Sequence, residues 1–166
     1  MCGRFQLTAS PEDIAEHFQL TRLPKYQPSY NITPGRKILC LVELEDKSLK
    51  AVNLLWGLVP SWCKDSKNSQ HLINARAETI REKPSFRAAF HKRRCLIVAQ
   101  GFYEWQKFES GKQAFHIHRQ DNQLFAFAGV WEHWQQAEQT LYSCAIITMQ
   151  AKGVMKSIHE RMPVII

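Results

Sequence analysis

Apolar and polar positions along the chain divide it mostly into short strands. Cys95 to Ala99 is a continuous apolar run that reads as a buried strand. Lys37 to Glu43 and Lys50 to Trp56 are two further strands around the polar turn Glu45-Asp46-Lys47-Ser48. Phe102 to Phe108 and Gln113 to His118 flank Glu109-Ser110-Gly111-Lys112, the signature of a hairpin turn. Leu124 to Val130 and Leu141 to Met149 complete a β-rich second half. Helical spacing is rarer. Ser10-Pro11-Glu12-Asp13 combines a Ser cap, Pro at the first helical position and acids in the first turn, with Ile14 and Phe18 one turn apart as the buried stripe. Phe86 and Phe90 stand at helical spacing beyond Ser85 as a candidate cap, and Ala151 to Ile158 predicts a short helix. Between Leu23 and Gly35, Pro, Tyr and Asn predict an ordered irregular loop anchored by Tyr26, Tyr30 and Ile32.

Composition adds one constraint and charge another. A chain of 166 residues, 45% hydrophobic and 11% aromatic, suits a single domain with one sizeable core, not a disordered segment. The formal net charge of +7 favours a polyanionic partner, nucleic acid first and an anionic membrane surface second. Five widely spaced cysteines include no C-x-x-C pair, which argues against a disulfide framework or a zinc ribbon. Cys40, Cys95 and Cys144 fall inside apolar runs and read as small buried hydrophobes. The start shows no secretory signal pattern, and no apolar run is long enough for a bilayer. A cytoplasmic, reducing compartment is expected.

Candidate chemistry begins at Cys2. With Met1 removed, Cys2 carries a free α-amine beside a thiol, and no other position can place those two nucleophiles on adjacent carbons. Such a 1,2-aminothiol condenses with an aldehyde to an imine, after which the thiol closes a five-membered ring. Both groups have ordinary pKa values of about 8 to 8.5, so both are partly reactive near neutral pH. Glu104 is an acid inside the aromatic stretch Gly101-Phe102-Tyr103-Glu104-Trp105, where it must be paired, solvated in a pocket or protonated; a structural ion pair would give the same pattern. From Asn74 to Arg94 seven Lys and Arg side chains face only Glu78 and Glu82, which reads as a solvated face or a phosphate-tracking surface. Trp56 and Trp62 bracket Gly57 and Pro60 in a rigid loop, with at least one ring expected in the core. His116 and His118 share a strand face but have no evident third ligand, so no metal is expected.

Six segments together resemble the SOS response-associated peptidase family, whose SRAP domain defines abasic-site processing proteins. They are Met1-Cys2-Gly3-Arg4-Phe5, Asn31-Ile32-Thr33-Pro34, Trp56-Gly57-Leu58-Val59-Pro60-Ser61-Trp62, Asn74-Ala75-Arg76-Ala77-Glu78-Thr79, Gly101-Phe102-Tyr103-Glu104-Trp105 and His159-Glu160-Arg161-Met162-Pro163. They occur in family order across almost the whole chain. Family members usually continue beyond the last motif, so residues 1–166 are expected to be one SRAP domain without its C-terminal segment. The resemblance implies an α+β fold on a barrel-like, mainly antiparallel sheet. It also implies binding of single-stranded DNA and covalent capture of an abasic site, without a cofactor and as a monomer. The reactive positions it implies are Cys2, Asn74, Glu104 and His159. Glu104 suits proton transfer during imine formation, His159 suits opening of the sugar ring, and Asn74 suits orienting the terminus. Arg4, Arg76 and Arg161 lie in the site motifs and are expected on phosphates, with Trp56 or Trp62 stacking on bases. Two other readings remain open from sequence: a thiol peptidase using Cys2 and His159, confined in one form to removing the residue before Cys2, and a non-catalytic single-strand binder.

Overall fold

The computed structural model describes residues 2–64, 66 and 72–166. Met1, whose removal the proposed chemistry requires, lies outside the described residues. The chain opens with strand β1 (Phe5–Leu7) and helix α1 (Pro11–His17). Helix α1 starts where its cap predicts: the Ser10 side chain accepts from the Asp13 N–H at 3.1 Å, and the Ser10 N–H donates back to the Asp13 carboxylate at 3.3 Å. That reciprocal pair is a capping box, and it satisfies two otherwise orphaned donors. Strand β2 (Ser29–Ile32) then emerges from what the sequence reads as irregular loop. Its pairing with β1 at Phe5↔Ile32 supplies the regularity, which Pro and Asn conceal locally.

Strands β3 (Lys37–Glu43) and β4 (Leu49–Trp56) form the expected hairpin, and β5 (Asn74–Arg76) is a three-residue strand. Helix α2 (Arg87–Lys92) begins after Phe86 with no side-chain cap, so Ser85 does not serve as one. Strand β6 (Arg94–Ala99) leads into the hairpin β7 (Gly101–Phe108) and β8 (Gly111–His118), whose turn places Gly111 at φ +138°, a conformation that favours glycine. Strands β9 (Phe125–Gln136) and β10 (Gln139–Gln150) run past their apolar cores by pairing polar ends in register up to Gln139↔Gln136. Helix α3 (Met155–Ile158) is a single turn, shorter than predicted, followed by β11 (Arg161–Pro163).

The fold is α+β, with a ring of hydrogen-bonded strands at its centre. Strands β4, β3, β6 and β9 are antiparallel neighbours, and β10 closes the ring by pairing antiparallel with β9 and parallel with β4 at Ser143↔Leu55 and Cys144↔Trp56. A second sheet, β2-β1-β7-β8, packs against it. Phe5 from that sheet meets the rings of Trp56 at 5.3 Å and Phe127 at 5.8 Å, edge to face, and Phe102 meets Phe127 at 5.9 Å. Each such ring fully buried is worth about 2 kcal/mol of hydrophobic stabilisation. These contacts fix how the small sheet sits on the barrel, and hence how residues on the two units meet.

Candidate active site

Strand β10 is the ruler of the site. Its middle pairs parallel with β5 at Ile146↔Asn74, and its end pairs with β11 at Gln150↔Arg161. The first pairing sets Asn74, and the second sets His159 just before β11. The other half comes from the small sheet, where Phe5↔Phe102 pairs β1 with β7 and the Tyr103 N–H donates to the Arg4 carbonyl at 2.9 Å. That register puts Cys2 alongside Glu104.

A hydrogen bond joins the two halves. The Asn74 Nδ2 group donates to the Cys2 carbonyl at 3.0 Å, 72 residues apart in sequence. This donation fixes the amide orientation, because a carbonyl needs a donor. Oδ1 of Asn74 is buried and, among the described residues, accepts no hydrogen bond. It is therefore a presented acceptor.

Cys2 is fully buried and Glu104 is only 2% exposed. Burial, then the nearby Glu104 charge, push the Cys2 thiol up to about 12, against smaller opposing effects from the terminal amine and then the Arg4 backbone. With Met1 attached, Cys2 is thus a neutral thiol at physiological pH. Its reactivity depends on a group that can take the proton, and the acidic residue beside it is Glu104.

His159 caps α3, and its Nδ1 accepts from the Arg161 backbone N–H at 2.9 Å. The neutral ring therefore carries its proton on Nε2. Glu104 and His159 line one cavity of about 330 Å³ together with Trp105, Lys107 and Lys112. A larger hollow of about 630 Å³ lies between Phe18–Pro24 and the β3–β4 hairpin, but Arg22 and Lys50 are its only ionisable lining groups. A third cavity, of about 450 Å³, also brings acids and an imidazole together at Asp13, Glu16 and His17, but none of the motif residues lines it.

The flanking residues expected on DNA are placed unequally. Arg4 and Arg76 are exposed, and Arg4 donates to the Asn31 side chain at 3.1 Å. Arg161 is buried, with its fork engaged by the Glu78 carboxylate at 2.8 and 3.0 Å and by the Thr148 carbonyl at 2.8 Å. Trp56 is fully buried, its indole N–H donating to the Ile73 carbonyl at 3.0 Å, so it offers no face to a base. Trp62 is 65% exposed. Within the basic run, Arg93 pairs with Glu132 at 2.8 Å and Arg81 lies over the Phe90 ring. Sequence reasoning passed over Lys107 and Lys112; their signal was the strand register that sets them opposite each other. His116 and His118 are exposed and stacked at 5.0 Å, and among the described residues no group of three His, Cys, Asp or Glu could hold a metal. No helix among them is long and apolar enough to cross a membrane.

Comparison with known proteins agrees with the fold. A model of the family described as SOS response associated peptidase (SRAP) matches residues 1–166. The chain is 44% identical to the abasic site processing protein YoaM of Bacillus subtilis over 171 residues, covering 100% of this chain and 75% of that protein. It is 31% identical to the abasic site processing protein HMCES of Xenopus tropicalis, covering 100% of this chain and 63% of that one. Among solved structures, a phage-related protein from Bordetella bronchiseptica superposes with a TM-score of 0.77 at 32% identity, over 99% of this chain and 77% of that one.

Proposed function

The chain belongs to the SOS response associated peptidase (SRAP) family, and from that premise we propose that it processes abasic sites in single-stranded DNA by covalent capture through Cys2. The observation that carries the reading is the Asn74 hydrogen bond to the Cys2 carbonyl. It holds the residue bearing both nucleophiles beside Glu104, in a site that His159 completes.

An abasic deoxyribose opens to an aldehyde at C1′. Once Met1 is removed, the Cys2 α-amine attacks that carbon, and loss of water leaves an imine. The thiol then adds across the C=N bond; a C–S bond forms, the thiol proton ends on nitrogen, and a thiazolidine results. Glu104 moves protons at the carbinolamine and takes the proton of a thiol that burial keeps neutral. Nε2–H of His159 is the donor suited to the ring oxygen as the sugar opens. Oδ1 of Asn74 accepts from the amine or from a sugar hydroxyl. Arg4 and Arg76 face the phosphates, and Trp62 is the exposed tryptophan able to stack on a base. Elimination from the imine would add strand cleavage as a side reaction.

The thiol peptidase reading fits less well. Activated cysteine nucleophiles are held as thiolates by a neighbouring cation, whereas at Cys2 burial and the Glu104 charge outweigh the lowering by the terminal amine and raise the pKa. The test is incubation with single-stranded DNA holding one abasic site, then denaturing electrophoresis and mass mapping. Wild type lacking Met1 gives an adduct at Cys2, and Cys2→Ala gives none while still binding the intact strand. An adduct from Cys2→Ala would overturn the mechanism, and no adduct from wild type would leave only a non-covalent binder.

A further inference from the structure

We propose that Lys107 and Lys112 form a phosphate seat on the rim of the cavity, holding the backbone of the captured strand; this rests on the DNA reading above. In β7 the side chains alternate, with Phe102 and Glu104 turned inward and buried. Tyr103, Trp105 and Lys107 share the other face, and across the hairpin their partners are His116, Ala114 and Lys112. Lys107 and Lys112 are therefore directly opposed, next to the turn and both exposed. Directly opposed like charges repel and weaken a strand pair, so this arrangement disfavours the free hairpin and is relieved by an anion between the two ammonium groups.

No carboxylate among the described residues fills that role. Among the described residues the ion pairs take up Lys47, Arg93, Arg119 and Arg161, and neither Lys107 nor Lys112. Both lysines line the same cavity as His159, whereas the Glu104 carboxyl is buried on the inward face of β7. An incoming strand thus meets two exposed cations at the cavity that His159 lines. In the sheet order β2-β1-β7-β8, Arg4 precedes β1 and Lys112 lies on β8, so positive groups stand on either side of β7. Lysine suits this seat because its flexible stem can follow phosphates that move as the sugar opens, where an arginine fork would demand one geometry.

The test uses the full chain and an intact single strand, with Lys107→Gln/Lys112→Gln compared with Lys37→Gln/Lys50→Gln, an equal charge change on exposed positions outside the cavity. Each phosphate contact on a single strand contributes a slope of about 0.7 to the salt dependence, so losing the seat lowers it by about 1.4 and weakens binding about tenfold near 0.15 M salt. With an abasic strand, the half-saturating concentration for adduct formation rises similarly, while the rate at saturation holds. A single uncharged methylphosphonate, walked along the strand, hurts wild type at one or two linkages and leaves the lysine variant indifferent there. Equal effects from both double variants, or no such linkage, overturn the seat. Because the intact-strand arm needs no chemistry, it judges the lysines even if wild type forms no adduct, an outcome that would count against the capture reaction alone.

Discussion

At the scale of single residues, the site couples a nucleophile to its surroundings through protonation. The Cys2 thiol is raised to about 12 by burial and by Glu104, so at pH 8 only about one part in ten thousand is thiolate. Mass-mapped alkylation of the chain that retains Met1 should therefore modify the half-buried Cys63 well before Cys2. Faster modification of Cys2 than of Cys63 in wild type would show that the thiol is not held neutral. The residue types were legible in the sequence: Cys2, Asn74, Glu104 and His159 stand inside recognisable motifs. Their mutual placement was not, because the Asn74 contact spans 72 residues and follows from a parallel pairing of β5 with β10 that no local pattern announces.

At the scale of elements, the segment carrying His159 is held by an ion pair from outside it. Arg161 spends its fork on Glu78, and its backbone N–H sets the tautomer of His159. The sequence placed Glu78 in a basic run and Arg161 in another motif; nothing local joins residues 83 apart. The Arg161 hydrogen bonds hold the Glu78 carboxyl down at about 2, against an ordinary 4.5. A depressed carboxyl stabilises the fold fully above its unfolded value and loses that contribution as pH falls towards the folded one. Glu78→Gln should therefore cost about 1 kcal/mol, discounted because the Glu78 side chain is 48% exposed and solvent screens the pair. Urea unfolding should show that difference constant above about pH 5 and shrinking towards pH 2. A difference that does not vary with pH would mean that Glu78 contributes by packing and not through charge. Hairpins with apolar cores were legible at this scale almost to the residue, as in β3. Strand β2 and the polar ends of β9 and β10 were not, since cross-strand partners define them.

At the scale of the whole molecule, the reactive groups are shared between two sheets, so the packing between sheets is part of the site. Cys2 precedes β1 and Glu104 lies on β7 of the small sheet, while Asn74 and His159 are set by β10 of the barrel. Trp56 lies at that junction: it packs against Phe5 of the small sheet and donates to the carbonyl of Ile73, the residue before Asn74. Trp56→Phe keeps an aromatic ring but removes the indole donor, leaving the Ile73 carbonyl with the Ile146 N–H alone and a small void beside Phe5. Those losses together come to about 2 kcal/mol, or about 4 to 8 °C in thermal midpoint for a chain of this size. Because the ring is buried, intact-strand affinity measured well below the transition should be unchanged. Adduct formation should slow, since the register between Asn74 and Cys2 loosens. The opposite pattern, an unshifted midpoint with weakened binding, would mean that the ring leaves the core to meet the bases and that the junction is not what aligns the site.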